Sequence, residues 1–458
     1  MSSNPAPRER VRGPHDADFA SWGGREWWRA TAPAETAVAA VAAPPSGNTA
    51  AFAALVAFTT ILLVSPQQWF PAIKSLRIAL LAAGVAIAAH FAGRWFGHAR
   101  ALPVRREMAI AVALLIWAAL TIPLSIWPGG SWSALSDHLV KAVIFFWLIG
   151  TVVTSQQRLE WFLWVLAACS IPLAATALLN YWDGNFITSA TSSVQRIAGY
   201  VGGAGLAGNP NDLALMLNLL LPLTGALFVI SKQPWLRLIA LGALMLSVAA
   251  VIATFSRAGF ITLMVICVAA FLAMLRRGAL GAAVIVVFMA LAAFVLVPAQ
   301  YFTRLSTITN IDADTTGSAQ GRWDDYFVSL EYIRRHPITG AGLGQDLLAL
   351  NETRGHSTWR SVHNAYLQAA VDLGLPGLTL LLALLLTSFA NARRVRRLAA
   401  RLPSLRDVGV MASGVSLSLL AFSVAAFFHP IAYQFYFFCL AGLAVALINA
   451  CRTGEATA

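Results

Sequence analysis

Twelve stretches of this chain are apolar over 17 to 25 residues, the length a helix needs to cross a bilayer. They fall near 49–65, 75–93, 107–127, 137–153, 158–181, 209–231, 235–254, 258–275, 279–298, 373–392, 408–427 and 430–450. Inside lipid every backbone N–H and C=O must be satisfied within the segment, so such stretches become helices. Composition agrees: 58% of residues are hydrophobic and 11% charged, against roughly 25% charged in soluble domains. The expectation is an all-α integral membrane protein with about 12 transmembrane helices and a large, partly helical loop between helices 9 and 10.

Charge orients that bundle. The net charge of +12 is almost all arginine, and the arginines lie between spans, a pattern of membrane topology and not of nucleic-acid binding. With the N-terminus inside, the inner connections hold Arg94, Arg100, Arg105 and Arg106, then Arg158, Lys232 and Arg237, Arg276 and Arg277, and a run from Arg393 to Arg406. The positive-inside rule then puts both termini in the cytoplasm and the long loop outside, which in a bacterial inner membrane is the periplasm. The organisation expected is a disordered cytoplasmic tail at 1–48, helices 1–9 over 49–298, a periplasmic catalytic loop at 299–372, helices 10–12 over 373–450, and a short tail at 451–458. Residues 1–48 show no apolar core of a signal peptide. Cys169, Cys267, Cys439 and Cys451 lack metal-ligand spacing and read as small core residues.

The chemistry-bearing residues sit in outer connections. Arg196 precedes a glycine-rich stretch ending in Gly208-Asn209-Pro210-Asn211, where Asn209 or Asn211 can cap the sixth span and Pro210 suits its first turn. Arg257 lies between two spans with almost no loop, and Ser256 can cap the helix that follows. Each arginine is either an ordinary loop residue or a fixed cation beside a helix N-terminus, where anions bind well.

Arg322 opens a helix in which Trp323, Tyr326, Phe327, Leu330 and Ile333 form an apolar stripe. That stripe is expected to pack on the top of the bundle. Asp324 and Asp325 lie off it, either a metal-binding pair or, on the plainer reading, a solvated helix N-terminus. Gly340, Gly342 and Gly344 make a turn without the Lys-Ser/Thr of a nucleotide loop. His363, flanked by Arg354, Arg360 and Asn364, is the candidate general base for a hydroxyl. His356 stands seven residues earlier, two turns away if the helix is continuous, and is the substitute candidate. Gly374-Leu375-Pro376-Gly377 breaks the helix carrying His363 from the span below. Asp372, just before that break, reads as structural.

His363-Asn364, nine residues, then Gly374-x-x-Gly377 resembles the H-[NSQ]-x9-G-x-x-G signature of the bacterial O-antigen ligase family. Leu378-Thr379 departs from the paired threonines often found there. Ser256-Arg257-Ala258-Gly259, the stretch from Arg196 to Asn211, and that from Gly321-Arg322 to Gly342 are similar to family patterns, so the likeness covers about residues 190–380. The resemblance implies an inverting, metal-independent membrane glycosyltransferase without a cofactor. Its donor is an undecaprenyl-diphosphate-linked glycan and its acceptor the lipid A–core of lipopolysaccharide. O-antigen or exopolysaccharide polymerase and protein O-glycan ligase are the alternatives within the family, and a lipid-linked sugar flippase is the alternative outside it. In this reading His363 is catalytic. Arg196, Arg257 and Arg322 hold the diphosphate, supported by Asn364, Asn209, Asn211, Ser256 and His356. Membrane lipid is the remaining partner, nucleic acid is not one, and no metal site is expected.

Overall fold

A computed structural model of the protein describes residues 48–68, 78–96, 105–189, 192–197, 208–276, 318–356 and 359–455, together with a few isolated positions between them. All of them belong to the unit Pro45–Ala458. The expected tail, the ninth span at 279–298, most of the glycine-rich stretch after Arg196 and the start of the outer loop at 299–317 lie outside the described residues.

The helices are α1 (Thr49–Val64), α2 (Ile78–Trp95), α3 (Arg106–Thr121), α4 (Pro128–Val152), α5 (Gln156–Trp182), α6 (Pro210–Ile230), α7 (Pro234–Ala253) and α8 (Arg257–Leu275). After the long connection come α9 (Ser318–Arg335), α10 (Asp346–Thr353), α11 (Ala365–Ala399), α12 (Arg406–Ala425) and α13 (Phe435–Glu455). Two short strands, β1 (Ile187–Ser189) and β2 (Ser192–Arg196), form an antiparallel hairpin in which Ile187 pairs with Arg196 and Ser189 with Ser192. Among the described residues ten helices are long and apolar enough to cross a membrane. Helix α1, at 16 residues, falls short of that length. Every expected span within the described residues is therefore helical, but the count of twelve is not reproduced.

Local signals start these helices. Asn48 and Ser155 accept bonds from the free amides of Ala51 and Arg158 at 3.2 and 3.3 Å, and Pro234 sits in the first turn of α7, where no amide is needed. Small residues let the bundle close: a side chain at Gly259 would strike Ala214, and one at Gly414 the Pro222 carbonyl. Helices α6 and α13 form the centre, and α2, α3 and α8 present much of their apolar surface outward. At one end of the bundle, polar glue joins Arg105 to Asn449 at 2.7 Å, Asn449 to the Gly150 carbonyl at 2.8 Å and Asn391 to Glu107 at 3.0 Å. The opposite end collects the starts of α6, α8, α11 and α13, and α9 and α10 pack there.

Candidate functional site

At that second end two helix starts and a hairpin strand are tied through one asparagine. Asn209 caps α6 by accepting the Asn211 amide at 2.9 Å, with Pro210 first in the helix. Ser256 caps α8 by accepting the Gly259 amide at 3.1 Å. The Asn211 Oδ1 accepts from Arg196 Nη2 at 2.7 Å and from Ser256 Oγ at 2.8 Å. The hairpin strand β2, the start of α6 and the start of α8 thus meet at one side chain. Arg257 is the first residue of α8, so two helix N-termini and two half-buried arginines face the same mouth. Helix N-termini carry partial positive charge, which favours an anion there.

His429, on the short connection between α12 and α13, closes the group from the other side. Its Nε2 lies 3.2 Å from the Asn211 carbonyl and its Nδ1 2.9 Å from the Ala425 carbonyl. A neutral imidazole has one N–H and donates to only one of these. Burial, aided by the charges of Arg322 and His363, pushes this ring down to about 4, so it is neutral at pH 7. Arg322 of α9 and His363 are thus among the charges that act on His429.

A buried carboxylate organises the outer layer. Asp325 on α9 accepts from Arg354 Nη2 and, at 2.9 Å, from Arg360 Nε. The Arg354 and Asp325 side chains are 8% and 4% exposed, which rules out the solvated helix N-terminus expected for this residue. Its neighbour Asp324 is the exposed one. Arg360 also donates from Nη2 to the Gly321 carbonyl at 2.6 Å, and Arg354 from Nη1 to the Arg360 carbonyl at 3.2 Å. These bonds hold the segment before α11 against the first turns of α9.

His363 is fixed at the end of that segment. Its Nδ1 donates to the Ser361 carbonyl at 3.0 Å. This sets the tautomer: Nε2 keeps its lone pair and is free to take a proton. Asp325 Oδ2, buried and without a hydrogen-bond partner among the described residues, lies 3.8 Å from the same Nδ1. On the two sides of His363, Val362 donates its amide to Asp346 Oδ2 at 2.9 Å, and Asn364 caps α11 by accepting from Tyr366 and Leu367. Asn364 Nδ2 also donates to the Tyr326 hydroxyl at 2.7 Å. Burial pushes the Asp346 carboxyl up, against the pull of the Val362 amide and of His363.

The glycine turn is a clasp. Gly340, Gly342 and Gly344 all have positive φ, but their amides are spent inside the protein. Ala341 and Gly342 donate to the carbonyls of Val371 and Asp372 at 2.8 Å, and Gln345 donates to Asp372 Oδ1 at 2.9 Å. In return Leu375 donates to the Pro337 carbonyl at 2.8 Å. This exchange requires α11 to open at Gly374, whose φ of 67° and ψ of −173° are closed to other residues. The expected break is therefore there, and buried Asp372 is structural as expected. His363, however, precedes the helix and does not ride on it.

Most of the expected residues gather at this end in two groups: Arg196, Asn209, Asn211, Ser256 and Arg257 around the starts of α6 and α8, and Arg322, His363 and Asn364 on α9 and just before α11. His356 does not join them. It lies in a left-handed turn after α10 (φ 61°), exposed, with its ring 3.4 Å from Asn351. The chain from there to His363 is not helical, so the two-turn spacing does not apply. The stripe on α9 is split: Trp323, Phe327 and Leu330 are exposed, whereas Tyr326 bonds Asn364 and Ile333 packs inward on Tyr332 and its neighbours, beside the buried Asp325 and Ser329. Sequence reasoning missed His429 and Asp346 and read Asp325 as metal-binding or solvated. His429 lies in the short connection between the expected spans 408–427 and 430–450, and that position is its only sequence signal. The Asp325–Arg354–Arg360 group has no spacing that a motif captures. Among the described residues no three His, Cys, Asp or Glu side chains gather as a metal site.

Fold and site together define a multi-span membrane protein with arginines, two helix N-termini and His363 gathered at one end of its bundle. Residues 242–382 match the family described as O-antigen ligase, in agreement with the resemblance carried by the motifs. The matched stretch includes Ser256, Arg257, Arg322, Asp325 and His363 through Gly377, while Arg196, Asn211 and His429 lie outside it. No curated protein matches the chain at a significant level.

Proposed function

We propose that this protein transfers a glycan from undecaprenyl diphosphate to a hydroxyl of the lipid A–core, as an O-antigen ligase of the bacterial inner membrane with its mouth on the periplasmic side. The observation that most supports the reading is His363, its Nε2 lone pair set by the bond to Ser361, at the same end of the bundle as Arg196 on Asn211 and Arg257 at the start of α8. The acceptor hydroxyl gives its proton to His363 Nε2 as its oxygen attacks the anomeric carbon. The bond from that carbon to the diphosphate oxygen breaks on the opposite face, so the configuration inverts. The departing diphosphate gains charge, which Arg196, Arg257 and Arg322 and the N-termini of α6 and α8 stabilise. Asp325 supports the imidazolium until its proton is lost to solvent.

General-base help of this kind contributes about 10²–10⁴ in rate. The test is the purified protein in vesicles with a lipid-diphosphate glycan, lipid A–core and a chelator. Wild type should turn over, and His363→Ala should lose turnover by about that factor. Equal turnover of the two would sink the base assignment. Arg196→Lys keeps the charge but loses the planar fork, so unchanged donor affinity in that variant would refute bidentate diphosphate binding. Chain growth on a lipid-linked repeat in place of lipid A–core would redirect the assignment to a polymerase.

A further inference from the structure

Helix α9 is apolar on two sides. Its inward face buries Asp325, Ser329 and Tyr332, with Val328 and Ile333 packed beside them. Its outward face carries Trp323, Phe327 and Leu330, which are 54%, 66% and 54% exposed. At i, i+4 and i+7 they form one ridge, about 10 Å long at 1.5 Å per residue, and the Trp323 and Phe327 rings stack at 6.3 Å. Such a ridge is costly in water and rare on a soluble surface.

Contacts at both ends fix its level. Near the start of α9, Tyr326 is bonded to Asn364, and Arg322 acts on His429, both at the mouth of the bundle. Just past its end, Pro337 accepts the amide of Leu375, where the apolar part of α11 begins. Ile338 and Leu375 are both well exposed at that junction, and the Ile338 carbonyl lies against Gly374. Helix α9 therefore lies along the level at which the spans start, and its apolar side leads into their lipid-facing surface. Other elements at this end also expose tryptophan: Trp127 and Trp132 at the start of α4, and Trp182 at the end of α5. Tryptophan is enriched where acyl chains meet headgroups, because its ring is apolar at one edge and wet at the other.

We infer that α9 lies in the membrane interface, with the Trp323–Phe327–Leu330 ridge set into the headgroup–acyl boundary of the leaflet on the site's side. The partner is the lipid surface itself. Interfacial helices bind through an apolar, aromatic-bearing face of this kind, and the opposite side of α9 is held on the protein by Arg354 and Arg360 through Asp325. The placement holds Arg322 and His363 at headgroup depth. It does not depend on the reaction proposed above.

The test places a photoreactive phenylalanine analogue at Phe327, at Leu330 and, as the control on the polar exposed side, at Asp324. The full chain is reconstituted in phosphatidylethanolamine–phosphatidylglycerol vesicles and irradiated, and adducts are read by mass spectrometry. Lipid adducts are expected at 327 and 330, several-fold above those at 324. A covalent link between two copies of the chain at 327 or 330 would instead make the ridge a dimer face and overturn the inference. Equal lipid yield at all three positions, or none at 327 and 330, would overturn it as well.

Discussion

Replacing Asp325 by leucine tests whether one carboxylate holds the outer layer together. The substitution removes the partner of Arg354, whose side chain is 8% exposed, and of Arg360, whose side chain is 31% exposed. Breaking a buried ion pair from one side costs about 3–5 kcal/mol, because the remaining cation is left in a poorly solvated place. The more exposed Arg360 adds little, on the surface scale of about 0–1 kcal/mol. The loss should be local. Helices α9 and α10 dock through this carboxylate, whereas the spans pack without it, so amide exchange should accelerate in α9, α10 and residues 359–363 and stay unchanged in α6 and α13. At about 4 kcal/mol the opening constant of that layer rises by nearly a thousandfold. Arg354→Met in the Asp325→Leu background removes the stranded charge and should restore most of the protection, since apolar replacement of a whole buried pair is often neutral. The reasoning is refuted if Asp325→Leu changes protection in α9 by less than about 1 kcal/mol, or if the second substitution adds its own loss and recovers nothing.

Gly374→Ala should destabilise the fold by several kcal/mol, because its Cβ would collide with the Ile338 carbonyl oxygen at a φ of 67° and strain and overpacking each cost about 1–3 kcal/mol; a thermal-unfolding midpoint equal to wild type would contradict the clasp. For His429 the folded value of about 4 lies below the unfolded value near 6.5. The unfolded chain therefore binds the extra proton between those values, and stability present above pH 6.5 falls by about 3 kcal/mol as pH drops to 4. His429→Gln should flatten that part of the pH–stability curve, and an unchanged slope would show that the ring is not buried neutral. Asn211→Leu removes the acceptor shared by Arg196 and Ser256; donor affinity measured by titration should fall about tenfold or more, on the scale of one hydrogen bond to a charged group, and retention would detach Arg196 from the site.

Length and hydropathy settled much of this protein in advance. The spans from 75–93 to 430–450 that fall in the described residues are helices because lipid leaves an apolar chain no other way to satisfy its backbone. Caps at Asn209 and Ser256 and the break at Gly374 were legible for the same kind of reason: each is a local backbone requirement met by one residue type. The order of Arg196, Arg257, Arg322 and His363 along the chain, each in a connection on the same expected side, also foretold that they could share one end.

What the sequence leaves open is which neighbour each surface meets. The stripe of Trp323, Tyr326, Phe327, Leu330 and Ile333 was plain, but periodicity identifies only an apolar side; acyl chains are as apolar as a protein core, so it cannot say whether that side faces inward or out. The tertiary structure split it, with Trp323, Phe327 and Leu330 out and Tyr326 and Ile333 in, and put Asp325 inside, where two arginines from beyond α10 reach it. The same holds for His429, which joins Asn211 from 218 residues away. Pairings of that kind depend on how spans pack side by side, and among nearly uniform apolar helices that order is set by the shape of small residues such as Gly259 and Gly414 and by a few buried polar bonds, neither of which has a period to read.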